Sequence, residues 1–89
     1  MTLIPNHIKR MANDRALMVS VRVGRNGLTT AIIEELIDQL NNRTLVKIKA
    51  NKGIFENTAE RSKIFFEIAK LTDSTLVFHR GNVAVFWKP

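Results

Sequence analysis

The stretch Met18-Val19-Ser20-Val21-Arg22-Val23-Gly24-Arg25-Asn26-Gly27-Leu28-Thr29 sets the reading of the whole chain. Its first half alternates. Val19, Val21 and Val23 fall on one side and Met18, Ser20 and Arg22 on the other, the period of two that marks a half-buried strand. Gly24-Arg25-Asn26-Gly27 then breaks the chain, and Thr29 is placed to cap a helix with its hydroxyl. Over residues 30–41, Ala31, Ile32, Ile33, Leu36, Ile37 and Leu40 form one apolar stripe. Glu34, Glu35, Asp38 and Gln39 take the opposite side, and Asn41-Asn42 is a stop signal. The unit is strand, glycine turn, amphipathic helix.

Working outward, residues 5–16 read as a short helix, with Pro5 at its start and Ile8, Met11 and Ala12 at helical spacing. Residues 44–50 alternate again, with Val46, Ile48 and Ala50 on one side and Leu45, Lys47 and Lys49 on the other. A loop containing Gly53 follows. Asn57 and Glu60 then have capping-box spacing ahead of a helix that runs to about Thr72 on Ile64, Phe65, Ile68, Ala69 and Leu71. Residues 75–80 and 83–88 are two β-rich runs joined by Gly81-Asn82, a strong hairpin signal. The order is α-β-α-β-α-β-β within one domain, residues 1–89. The expected architecture is an α/β two-layer sandwich with a four-stranded mixed sheet. Its final hairpin is antiparallel, and the strands at 18–23 and 44–50 are parallel.

Composition narrows the function. Cysteine is absent, which removes disulfide scaffolds, thiolate metal sites and cysteine nucleophiles. No apolar run approaches the ~20 residues of a membrane helix, and no secretion signal opens the chain, so a cytoplasmic protein is expected. Fourteen Lys and Arg oppose eight Asp and Glu, a net of +6. The excess is segregated. Residues 1–27 carry Lys9, Arg10, Arg15, Arg22 and Arg25 against Asp14. Residues 44–55 carry Lys47, Lys49 and Lys52 with no acid, whereas the helix at 30–41 is acidic. Such a division fits one surface for a polyanion.

The glycine turn has the chemistry of a phosphate contact. Glycine lets a phosphate approach the backbone, the helix that follows offers unpaired N–H groups, and Arg25 adds planar donors. Arg22, Lys47 and Lys49 sit on the polar sides of their strands and would share a face with the turn if the strands share a sheet. A tight strand-to-helix turn alone would also explain two glycines three apart. The turn is neither a Walker loop nor a dinucleotide fingerprint, since no Lys-Ser or Lys-Thr follows and the third glycine is missing.

Catalytic and metal signals are weak. His7 and His79 lack partners at ligand spacing, Glu34, Glu35 and Asp38 lie on an exposed helix face, and no nucleophile elbow is present. No enzyme activity, cofactor, metal or small-molecule substrate is expected. Phe65 reads as core. Phe86 and Trp87 alternate, so one of them is buried and the other is free to meet solvent or a base.

Val21-Arg22-Val23-Gly24-Arg25-Asn26-Gly27-Leu28-Thr29 resembles the signature of the CRM domain (chloroplast RNA splicing and ribosome maturation), whose stand-alone members are the YhbY-like proteins. The likeness continues in Leu45-Val46-Lys47-Ile48-Lys49 and in Gly81-Asn82-Val83-Ala84-Val85-Phe86-Trp87-Lys88-Pro89. The resemblance implies a fold like the C-terminal domain of translation initiation factor three. It also implies a non-catalytic module for structured RNA, such as ribosomal RNA in large-subunit precursors. Carried onto this chain, the RNA-binding residues are Gly24, Arg25, Asn26 and Gly27, with Arg22, Lys47 and Lys49 beside them. The expected protein is a monomer. The rival expectation is an adaptor whose basic surface docks an acidic protein. Where the family closes its third helix with glycine this chain has Asp73, which can reach a left-handed turn at some cost.

Overall fold

A computed structural model describes residues 3–24, 27–51 and 58–89. The elements run α1 (Asn6–Asn13), β1 (Val19–Val23), α2 (Thr30–Asn42), β2 (Leu45–Ala50), α3 (Thr58–Leu71), β3 (Thr75–Arg80) and β4 (Val83–Trp87). This is the expected order. Arg25, Asn26, the loop around Gly53 and the cap expected at Asn57 lie outside the described residues.

The four strands form one sheet in the order β1-β2-β4-β3. β1 and β2 are parallel, and β4 is antiparallel to both β2 and β3. Two helical crossovers and one tight hairpin permit this mixture, because parallel neighbours need a long connection and antiparallel ones do not. At the hairpin, Arg80 faces Val83 across Gly81 and Asn82. Gly81 has φ +56° and Asn82 stays out of the left-handed region, the pattern of a type II′ turn.

One face of the sheet is sealed by α2 and α3. Val21, Val23, Val46, Ile48, Ala50, Ala84 and Phe86 pack against Leu36, Leu40, Phe65, Ile68 and Ala69. This is the sandwich that the alternation predicts. α1 lies on the other face, where Ile8 and Ala12 cover Leu45 and Val85 together with the half-buried Val77, Phe78 and Trp87. The sheet therefore has a full cover on one side and a partial cover on the other.

Two register shifts adjust the alternation. In β1, Val19 pairs with Lys47 but Val21 pairs with Ile48, so Val19 leaves the buried set and only Val21 and Val23 stay in it. In β3 the shift between Leu76 and Phe78 makes Val77 the extra residue. Val77 and Phe78 both join the α1 cluster, while Leu76 packs with the α2/α3 side. A bulge does this by leaving one residue unpaired and bending the strand.

The helix ends follow local chemistry. The Thr29 hydroxyl accepts from the Ile32 N–H at 3.2 Å and caps α2. At the end of α3, Asp73 takes φ 52° while the Ser74 N–H donates to the Ala69 carbonyl at 2.9 Å. Asp73 thus makes the left-handed turn that glycine makes at most such ends.

Candidate nucleic-acid interface

The site begins where β1 ends. Gly24 follows the buried Val23, and the Asn51 N–H donates to the Val23 carbonyl at 3.0 Å, which ties the turn to the end of β2. The Gly27 N–H donates back to the Gly24 carbonyl at 3.0 Å and closes the four-residue turn. Gly27 has φ +70°, a conformation costly for residues with a Cβ. Gly24 is under no such constraint, and a Cβ built on it would meet nothing within 4 Å. Both glycines are half-exposed.

The hydrogen bonds decide which backbone donors remain. Gly27 N–H is used inside the turn and Ile32 N–H is used by the Thr29 cap. At the N-terminus of α2 this leaves the N–H groups of Thr30 and Ala31 without an intrahelical acceptor. Both residues are exposed, at the positive end of the helix dipole.

The cations take their places from the sheet register. Arg22 is the lateral neighbour of Lys49, so the two side chains stand next to each other on one face. Lys49 is in turn opposite Val83, and Val83 is opposite Arg80. Arg22, Lys49 and Arg80 therefore form a row across the whole sheet, on the face that α1 only partly covers. All three are exposed, and none has an ion-pair partner among the described residues. Lys47 points to the same face two residues earlier in β2. It is half-buried, and its ammonium donates to the Leu17 carbonyl at 3.3 Å, so it fastens the link between α1 and β1 while keeping its charge on that side.

Of the predicted residues, Arg22 and Lys49 are thus brought beside Gly24 and Gly27 at one end of the sheet, whereas Lys47, on the same face but opposite Val85, is held toward the α1–β1 link by the Leu17 carbonyl. Arg80 is the member that sequence reasoning did not select. Its signal was present in part, because the hairpin turn puts Arg80 opposite Val83. What was missing was that β4, and not β3, lies beside β2 on the side away from β1.

Other cations lie elsewhere. Arg43 reaches the Ser20 hydroxyl at 3.3 Å and Lys88 reaches the Asn41 side-chain carbonyl at 3.0 Å, both near the opposite end of the sheet. His79 is half-buried against the Phe65 ring and bonded to the Ser62 hydroxyl at 3.2 Å. It joins β3 to α3. Among the described residues no group of three His, Cys, Asp or Glu could hold a metal ion. No described helix is long and apolar enough to cross a membrane. Phe86 is buried, and Trp87 packs into the α1 cluster, which occupies much of its ring.

These features define an α/β domain of the YhbY-like fold. The chain belongs to the CRS1 / YhbY (CRM) domain family, whose family model matches residues 6–88. Among solved structures it is similar to the solution structure of the hypothetical protein SAV1595 from Staphylococcus aureus, which is described as a candidate RNA binding protein. The TM-score is 0.75 at 20% identity, over 98% of this chain and 90% of that one. Among the curated proteins, none matches the chain.

Proposed function

We propose that this protein is a non-catalytic module that binds structured RNA, ribosomal RNA of the assembling large subunit being the target class. The contact is the Gly24–Gly27 turn, including Arg25 and Asn26, together with Arg22, Lys47 and Lys49. The observation that carries the reading is the register of Arg22 beside Lys49, two residues before Gly24, on a chain whose next helix starts with the Thr30 and Ala31 N–H groups lacking an intrahelical acceptor. A second point supports it. Neither φ nor crowding within the protein demands glycine at position 24, whereas a phosphate approaching the backbone from outside would. Membership of the CRM family and the description of the staphylococcal relative point the same way. The protein acts as a monomer in the cytoplasm, without cofactor or small-molecule substrate.

Phosphate contacts dominate such binding, so affinity should fall steeply with salt. Each lost cation contact should lower the log–log slope by roughly 0.7–0.9. Arg25→Ala and, separately, Gly27→Asp are expected to weaken binding to a structured ribosomal RNA fragment while circular dichroism stays native. Wild-type affinity in both variants would remove the turn from the contact. Sedimentation of a cell lysate before and after ribonuclease tests the partner class. Loss of ribosomal cosedimentation after digestion supports RNA, and survival of the complex would favour an acidic protein partner.

A further inference from the structure

A cleft of about 270 Å3 lies between the C-terminal end of α1 and the sheet, bordering the cation row. Asp14 and Arg15 form one wall and Lys47 and Arg80 the other, with Phe78 and Val83 as an apolar floor. We propose that this cleft holds one unpaired ribonucleotide of the RNA strand that crosses the glycine turn. The assignment rests on the RNA-binding reading and adds a second contact to it.

Three observations carry the choice of occupant. The first is size, since the volume is just below the range of about 300–1,000 Å3 for small-molecule sites. That suits one nucleotide unit and excludes a duplex. The second is continuity. Arg80 belongs to the same row as Lys49 and Arg22, with Val83 between Lys49 and Arg80, so a backbone leaving the turn meets cations at both ends of its path to the cleft. Neighbouring strands are about 4.8 Å apart, which puts Arg80 roughly 14 Å from Arg22.

The third is the unequal chemistry of the walls. On the sheet wall Arg80 and Lys47 attract a phosphate, and on the α1 wall Arg15 stands beside groups of opposite effect. Asp14 and the α1 C-terminus, whose last carbonyls carry partial negative charge, repel one. One Asp14 carboxylate oxygen accepts from the Ala16 N–H at 2.9 Å, and the carboxylate keeps acceptor capacity for a donor in the cleft. A phosphate on the Arg80 side and a ribose 2′-hydroxyl donating on the Asp14 side match both walls. The apolar floor takes the sugar and base faces. A deoxynucleotide lacks the donor, so the cleft distinguishes RNA from DNA.

The test uses the intact protein and three fluorescein-labelled probes: an RNA hairpin without a tail, one with a single-stranded RNA tail, and one with a DNA tail. Wild type is expected to prefer the RNA tail over the DNA tail by about 3- to 10-fold, the worth of one hydrogen bond. Arg15→Ala/Arg80→Ala should abolish the gain from either tail and lower the salt slope by about 0.7 per contact. Asp14→Ala removes the acceptor offered to the 2′-hydroxyl and should erase the RNA-over-DNA preference while the gain from a DNA tail remains. The proposal is overturned if the double variant, still folded by circular dichroism, retains the tail gain. Loss of affinity for the tailless hairpin to the same extent overturns it too, because the cations would then contact duplex backbone. Arg22→Ala/Lys49→Ala separates this outcome from failure of the turn site. If that variant weakens all three probes while the cleft variants change nothing, the cleft fails and the turn stands. If it weakens none, the turn reading itself fails.

Discussion

The two faces of the sheet are built from the same strands and do different work. Toward α2 and α3, β1, β2 and β4 offer Val, Ile, Ala or Phe and β3 adds Leu76, and the side chains close into one sealed cluster. Toward α1, the same strands offer Leu45, Val85 and Trp87 at one end and Arg22, Lys49 and Arg80 at the other. Alternation alone assigns each residue to a side. The short helix α1 covers only the apolar end of the second side and leaves the charged end in water. Burial of a core side chain contributes about 1.5–3 kcal/mol, whereas an exposed cation contributes little to folding. The domain thus keeps its stability on one face and its candidate contact on the other.

That division makes the face of a residue the predictor of what its loss does. Phe65 is fully buried, while its neighbour Phe66 is 62% exposed. Phe65→Ala should cost about 3–5 kcal/mol in urea unfolding, and Phe66→Ala should stay within about 0.5 kcal/mol. Comparable losses from the two would dissolve the distinction. Thr29→Ala removes the α2 cap beside the turn, and should cost about 1 kcal/mol in the same assay while reducing RNA affinity. Asp73→Gly lies far from the cation row and relieves a left-handed aspartate. It should raise stability by about 0.5–1 kcal/mol and leave RNA binding unchanged. The smallest effect on folding belongs to Arg22→Ala/Lys49→Ala. Its unfolding free energy should match wild type within about 0.5 kcal/mol while its salt slope in RNA titrations falls. A large destabilisation would mean that the row is part of the core's support.

Much of the fold was legible because local signals agreed. The Thr29 cap, the Gly81-Asn82 hairpin and the glycine turn stand where their residues predicted, and the stripe of α2 faces the core through Ile32, Leu36 and Leu40 while Ala31 is exposed. Asp73 takes the left-handed turn anticipated at the end of α3. The candidate site was legible in part. Arg22, Lys47 and Lys49 do share a face, since period-two alternation survives where the strands are regular. It failed at Val19, where a register shift of one residue reverses the side of a chain segment; β3 has a similar shift at Val77, and no local pattern marks either one. Lys47 lies on the polar side of its strand as alternation predicts, but its ammonium is held by the Leu17 carbonyl, a contact thirty positions away that no local pattern marks. Trp87 was open to either side of the fold until α1 took its place over it.

The sequence by itself determined the elements and their caps, since these depend on residues within a few positions of one another. It also determined the segregation of charge along the chain. Only the tertiary structure decided that β4 lies between β2 and β3, that α1 shields half of one face, and that Arg80 joins Arg22 and Lys49 in a single row. Those outcomes depend on pairings between strands distant in sequence. Their cost in chain entropy is met by the buried core and not by any local preference.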